Sequence, residues 1–262
     1  MSETAAVDAQ VRGAAGVPLL AVDGVRKRFG GLTAVKGASF TLAAGEIVGI
    51  LGPNGAGKTT LFNLLTGFIA PDAGSVKLDG HELKGLAPYR IVNRGLARTF
   101  QLTRPFLGMS VLENVLVACL APRVRHRMAS EEHARRILDQ VGLREKAASP
   151  VEVLPYGDLR RLEIARALAT DPRLLLLDEP FAGLGSSEIE PLANLIKRLH
   201  REENLTILII EHKLREFMAL VSRVIAMDFG EIIAVGTPAE IVRHPRVIEA
   251  YIGRTEGDGA AA

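Results

Sequence analysis

With 262 residues, 28.1 kDa and 48% hydrophobic residues, the chain can bury a substantial core as one domain or as two intimate subdomains. A formal net charge of +2 excludes the general basicity of nucleic-acid binders, and the densest basic run, Arg123 to Arg127, has no interleaved aromatics. The single Cys119 excludes an internal disulfide, and the longest uncharged stretch, the 13 residues Thr59 to Pro71, falls well short of the ~20 needed to cross a bilayer.

In chain order, residues 1–18 are rich in Ala, Gly and small polar groups and are expected to be a disordered leader rather than a secretion signal. Strand-like segments follow at Leu19–Val25, Ser39–Leu42, Glu46–Leu51, Ser75–Leu78 and Leu96–Phe100. Further ones lie at Arg173–Asp178, Leu205–Ile210, Val221–Met227 and Ile232–Val235. The apolar runs Leu174–Leu177 and Ile207–Ile210 suit central strands of a parallel sheet covered on both faces. Helices are expected at Thr59–Gly67, Glu188–His200 and Leu214–Leu220, which sets up α/β alternation. From about 102 to 160 the alternation breaks into an inserted helical subdomain. There Ser110-Val-Leu-Glu113 is a capping box opening a helix through Leu120, and a second helix, Glu131–Val141, stops at Gly142. The tail 255–262 is expected to fray.

Gly52-Pro-Asn-Gly-Ala-Gly-Lys-Thr59 matches G-x-x-x-x-G-K-[ST] at every required position. Gly55 and Gly57 let the backbone form a nest of N–H groups around an anion. Lys58 brings a point charge to the β/γ-phosphates, and the Thr59 hydroxyl is placed for Mg²⁺. A strand before the loop and a helix after it supply the context, so the chain is expected to bind a nucleoside triphosphate. The run Leu174–Leu177 ends in Asp178 and Glu179. Asp178 suits Mg²⁺ held through its water shell, and Glu179 is the candidate base for an attacking water. His212, preceded by Glu211, is either a γ-phosphate contact or an ordinary structural histidine.

This ordered set resembles an ATP-binding cassette (ABC) transporter ATPase over about residues 19–254. The resemblance implies a P-loop NTPase of α/β class: a RecA-like ABC ATPase core with an antiparallel β-subdomain and the inserted α-helical subdomain. It implies ATP and Mg²⁺ as cofactors, with Phe29 stacking on adenine (its alternative is a strand-end core residue) and the phosphates held by Gly52, Pro53, Asn54, Gly55, Ala56, Gly57, Lys58, Thr59 and Thr60. Mg²⁺ would be held by Thr59, Gln101 and Asp178, and catalysis would fall to Glu179, His212 and Gln101. Leu154-Pro-Tyr-Gly-Asp158 matches the signature motif, so Tyr156, Gly157 and Asp158 would face ATP held by a second subunit, from a helix N-terminus beginning at Asp158. Two positions depart from the pattern. Pro155 replaces the signature serine and offers neither hydroxyl nor N–H, and the D-loop Ala182-Gly-Leu-Gly185 ends without a carboxylate. The site built by this signature is therefore expected to be weaker than its partner site.

Finer details are similar to the ATP-binding subunits of branched-chain (hydrophobic) amino-acid importers: Phe29-Gly-Gly-Leu-Thr-Ala-Val35, Leu65-Thr-Gly-Phe68, Arg98-Thr-Phe-Gln101, the signature with its helix through Leu168, and Glu249-Ala-Tyr-Ile-Gly253. That resemblance implies a bacterial or archaeal subunit at the cytoplasmic face of the inner membrane. Its partners would be two transmembrane permease subunits, a second ATP-binding subunit and, indirectly, an extracytoplasmic solute-binding protein, with no nucleic acid. The groove around Gln101 and Thr103–Phe106 is the candidate seat for a permease helix, Phe106 being alternatively core. Asp178-Glu-Pro-Phe-Ala-Gly183 also suits a lipid or lipopolysaccharide exporter ATPase. A soluble ABC protein is the other alternative, disfavoured by the single phosphate loop, and a GTPase is disfavoured by the lack of an N-K-x-D motif.

Overall fold

The computed structural model describes residues 17–124 and 131–252. Most of the expected leader, the tail 255–262 and part of the Arg123–Arg127 run lie outside them. The strands are β1 Leu20–Phe29, β2 Leu32–Leu42, β3 Ile47–Leu51, β4 Ala73–Leu78, β5 His81–Glu82, β6 Leu96–Arg98, β7 Leu174–Asp178, β8 Thr206–Ile210, β9 Arg223–Asp228 and β10 Glu231–Gly236. The chain forms two compact units, one from residues up to Leu86 and from Leu208 onward, the other from Ala87 to Ile207.

In the first unit β2, β1, β4 and β5 form an antiparallel sheet in that order. β1 and β2 make a long hairpin registered from Leu20 opposite Leu42 to Phe29 opposite Leu32. Sequence pattern alone predicts a second strand only from Ser39. Lys36 and Gly37 interrupt its alternation, and pairing with β1 through register shifts carries it back to Leu32. A second layer begins with β3, all five residues buried, beside β9 in parallel register from Val48–Arg223 to Leu51–Ala226. β10 returns antiparallel along β9. The two layers are tied where Lys36 N–H donates to Gly230 O at 2.8 Å.

The expected helix after the phosphate loop runs Lys58–Leu65, burying Leu61, Phe62, Leu64 and Leu65. Phe68 lies beyond the helix, which ends at Leu65, and is 55% exposed. Among the short helices not anticipated are two near the C-terminal end of the described residues that open on proline, Pro238–Ile241 and Pro245–Ile252. The first carried a legible signal, since Thr237 and Glu240 form a capping box.

In the second unit β6 pairs with β7 in parallel, Leu96–Leu174, Ala97–Leu175 and Arg98–Leu176. β6 ends two residues before the predicted Phe100 because side chains of another element take the backbone of Phe100 and Gln101. The capping box at Ser110 is present: Ser110 N–H donates to Glu113 Oε2 at 2.6 Å and Glu113 N–H to Ser110 Oγ at 3.2 Å. Its helix spans Val111–Cys119, and a second spans Glu131–Gln140, as the pattern predicts. The helix after the signature motif begins at Tyr156, two residues earlier than expected, and runs to Leu168. Pro155, in extended conformation, already offers its carbonyl to the N–H groups of Asp158 and Leu159. Helix Ser186–Glu202 buries Ile189, Leu192, Leu195, Ile196 and Leu199, and β8 then carries the chain from the second unit back to the first.

Gly49, in the middle of β3, leaves no room for a side chain, since a Cβ there would fall 2.1 Å from the ring of fully buried Phe217. Gly49→Ala should therefore destabilise the chain by about 1–3 kcal/mol, seen as a lower urea midpoint at unchanged slope. An unchanged midpoint would mean that Phe217 moves aside at no cost.

Candidate functional site

In the first unit the apolar strand β3 runs into the glycine loop, and the loop runs into helix Lys58–Leu65. Gly55 and Gly57 take φ of 79° and 99°, a left-handed conformation that side-chain-bearing residues resist. At Gly57 a Cβ would also lie 2.4 Å from Ala34 O. Gly230 N–H donates to Ala56 O at 3.0 Å, so the hairpin turn between β9 and β10 supports the loop from behind. The helix start has no side-chain cap, which leaves its N-terminal dipole to an outside anion. Lys58, 6% exposed, folds back so that Nζ donates to Gly52 O at 2.6 Å and Pro53 O at 3.0 Å. These loop carbonyls hold the ammonium inside the nest, where phosphate oxygens would be its stronger partners. Asn54 and Thr59 are exposed, Pro53 and Thr60 half-buried.

Phe29 stands at the end of β1, 45% exposed, with Lys27 Nζ 5.5 Å from its ring centre. It is not a core residue, and its open face suits a stacked base. His212 is exposed, and its position is set by a residue given no role in the sequence reading. Glu211, 2% exposed, accepts the N–H groups of His212 at 2.8 Å and Lys213 at 3.1 Å through Oε2. Tyr251 is a second residue the sequence reading missed. From helix Pro245–Ile252 its hydroxyl meets the backbone of Gly52, the first residue of the phosphate loop. Burial, with Asp228 adding to it and the Gly52 contact opposing it, pushes the phenol up to about 12.

In the second unit β7 ends in Asp178, buried, then Glu179, whose φ of 49° is left-handed for a residue with a side chain. The segment after β6 pairs with these acids one by one. Arg98 Nη2 donates to Asp178 Oδ2 at 2.6 Å, with only 6% and 5% of the two side chains exposed. Gln101 Nε2 donates to Glu179 Oε2 at 2.8 Å. Thr99 Oγ1 accepts Asp178 N–H at 3.3 Å. Gln101, Asp178 and Glu179 are thus brought together, and Arg98, to which the sequence assigns no role of its own, joins them as the counter-charge of Asp178. At the signature, Asp158 forms an ion pair with Lys146, Tyr156 lies 5.1 Å from the Arg160 guanidinium carbon, and Gly157 backs onto Glu188. Phe106 packs under Arg166 at 4.5 Å while remaining 41% exposed.

Strand, glycine loop and uncapped helix, in that order, make the first unit a phosphate-binding module of the mononucleotide class. Comparison with known proteins narrows this. Residues 35–182 match the ABC transporter family, and residues 231–256 match the branched-chain amino acid ATP-binding cassette transporter family. The chain is 42% identical to the high-affinity branched-chain amino acid transport ATP-binding protein BraF of Pseudomonas aeruginosa. It is 45% identical to LivG of Salmonella typhimurium, bearing the same description; each alignment covers 90% of this chain and 98% of the relative. Among solved structures, the ADP conformation of MJ1267, an ATP-binding cassette of an ABC transporter, superposes with a TM-score of 0.82 at 31% identity, covering 91% of this chain and all of that one. A dimeric post-hydrolysis state of the cassette MJ0796 with ADP and Pi gives 0.74 at 27% identity, covering 84% and 98%. The chain belongs to the ABC transporter ATPase family, within its branched-chain amino acid transport branch. The fold is that of an ABC cassette, with the antiparallel sheet expected for it. No helix among the described residues is long and apolar enough to cross a membrane.

Two outcomes follow from this geometry. Arg98→Met would leave Asp178 buried without its counter-charge, a loss of about 3–5 kcal/mol in stability, read by denaturant unfolding; a loss under 1 kcal/mol would show the pair to be dispensable. For Tyr251 the folded pKa lies above the ordinary 10.0, so its contribution to stability is complete below pH 10 and is lost as pH rises through about 12. In an absorbance titration one of the three tyrosines should ionise near 12, and Tyr251→Phe should delete that step. An identical curve in the variant would show that the raised step does not belong to Tyr251, and with it that burial does not hold this phenol protonated.

Proposed function

We propose that this chain is the ATP-hydrolysing subunit of an importer for branched-chain amino acids, working at the cytoplasmic face of a bacterial inner membrane. Its partners in this reading are two membrane permease subunits and a second ATP-binding subunit, with an extracytoplasmic binding protein delivering the solute. The match of residues 231–256 to the branched-chain family and the relatives' descriptions support import over lipid export.

In the proposed cycle Phe29 stacks on adenine and the loop Gly52–Thr60 holds the phosphates, with Lys58 exchanging the carbonyls of Gly52 and Pro53 for phosphate oxygens. In this reading Mg²⁺ would be held by the Thr59 hydroxyl, the Gln101 amide oxygen and the Asp178 carboxylate, each an oxygen donor of the kind the ion prefers. The Gln101 nitrogen faces Glu179, which leaves its oxygen for the ion. The ion, when bound, would supply charge neutralisation to the phosphates. Glu179 takes the proton of the attacking water, and His212 contacts the γ-phosphate. Tyr156, Gly157 and Asp158 face ATP held by the second ATPase subunit. Because Pro155 lacks an N–H and the Asp158 N–H is already used by Pro155 O, the first-turn donors left to that role are those of Tyr156 and Gly157.

The observation that carries this reading is the Glu179 carboxylate, held at the end of a buried strand by the Gln101 amide. Glu179→Gln should retain ATP while hydrolysis falls about 10²–10⁴-fold, and Lys58→Ala should weaken ATP binding itself. Full turnover in Glu179→Gln would remove it as the base. Co-expression with the permeases and uptake of labelled leucine into vesicles tests the transport assignment, which ATP-independent or absent uptake would overturn.

A further inference from the structure

The helix Tyr156–Leu168 carries a buried guanidinium that the function above does not use. Arg160 is 3% exposed. Its Nη2 donates to Gln101 O at 2.7 Å and to Ala182 O at 3.2 Å, and its Nη1 donates to Phe100 O at 3.1 Å. Nη1 also lies 3.4 Å from Glu163 Oε2, and the Tyr156 ring covers the guanidinium at 5.1 Å. One turn further along the helix, Glu163 Oε1 accepts the Phe100 N–H at 2.6 Å. Burial pushes the Glu163 carboxyl up, while the Phe100 N–H and the Arg160 guanidinium oppose that shift.

These bonds converge on a single contact, the 2.8 Å hydrogen bond from Gln101 Nε2 to Glu179 Oε2. Arg160 grips the donor's side through the carbonyls of Phe100 and Gln101. It grips the acceptor's side through Ala182 O, in the turn closed by Ala182 N–H donating to Glu179 O at 3.0 Å. Three backbone oxygens from two loops are spanned by one planar fork, which a point-charge ammonium cannot reproduce. A buried cation paired chiefly with carbonyls adds little net stability after desolvation, so geometric specification is the better account of its presence.

We infer that Arg160 is a positioning residue: it fixes Gln101 against Glu179, so that the signature helix sets the alignment of the hydrolytic carboxylate. The inference rests on Glu179 being the base. The helix that reaches toward a second subunit's nucleotide is thereby mechanically joined to this chain's own hydrolytic groups. A shift of that helix moves the Phe100–Gln101 backbone and the Glu179–Ala182 turn together.

The test is a double-mutant cycle on the full-length chain, reading kcat for ATP hydrolysis and, separately, binding of a fluorescent ATP analogue. Arg160→Lys should lower kcat by roughly 10²-fold, the scale of an ångström-level misplacement, with ATP affinity unchanged. Arg160→Lys combined with Gln101→Ala should be no slower than Gln101→Ala alone, because both act on one bond. Arg160→Met, matching the apolar stem without the fork, should behave as Arg160→Lys and serves as the second variant. A merely structural role predicts multiplied losses in the double variant and a parallel fall in ATP affinity; either result overturns the inference. If Glu179→Gln is inactive and the cycle is multiplicative, only the Arg160 assignment fails. If Glu179→Gln still turns over, the reading of the base fails first.

Discussion

The parallel pairing of β6 with β7 is the constraint on which the second unit's chemistry depends. It matches Leu96–Arg98 with Leu174–Leu176, and Thr99 N–H continues the ladder to Leu176 O at 2.9 Å. From that register Arg98 falls on Asp178 and Gln101 on Glu179. Side chains alternate along a strand, so a slip of one residue would turn Arg98 away from Asp178 and remove the counter-charge from a buried carboxylate. The wholly buried run Leu174–Leu177 holds the register, because any shift would carry Asp178 into an apolar layer. Hydrophobic burial thus places two acids to within hydrogen-bond precision, although neither acid is itself apolar.

The phosphate loop is organised on a different physical basis. Its glycines accept left-handed conformations, and neighbouring backbone fills the space that side chains would need: Ala34 O beside Gly57 and Met227 O beside Gly52. The loop is therefore enclosed by β2 and by the end of β9, with the Gly230 N–H adding a hydrogen bond to Ala56 O. Such enclosure limits reorganisation when an anion arrives, which is what electrostatic stabilisation of a transferring phosphoryl group requires. Tyr251 extends this support to the C-terminal helix, within the segment that matches the branched-chain family.

Buried arginines do much of the local ordering in the second unit. Arg98 neutralises one acid through a short ion pair, while Arg160 collects carbonyls from two loops. The contrast follows from what surrounds each guanidinium. A carboxylate attracts one fork edge, whereas carbonyls spread over two loops tie separate segments together. Glu163 completes the arrangement by accepting the N–H of Phe100, the residue whose carbonyl Arg160 holds.

Much of this protein was legible without coordinates, because the signals were local. The G-P-N-G-A-G-K-T loop, the apolar runs of β3, β7 and β8, the Ser110 capping box and the acid pair after β7 each depend on residues adjacent in the chain. Their meaning follows from backbone geometry and burial. The first seven residues of β2, the early end of β6 and the helix start at Tyr156 were not legible, since partners far away in sequence decide them: β1 for the first and the Arg160–Glu163 turn for the second, while at the third the proline carbonyl captures two N–H groups. The same holds for Arg98, Arg160 and Tyr251, which in the sequence are one more arginine or tyrosine in a helix or strand. The order of motifs along the chain determined which chemistry it carries. Only the tertiary structure decided which side chains hold that chemistry in line, because a hydrogen bond across some 60 to 80 residues leaves no periodic trace in the sequence.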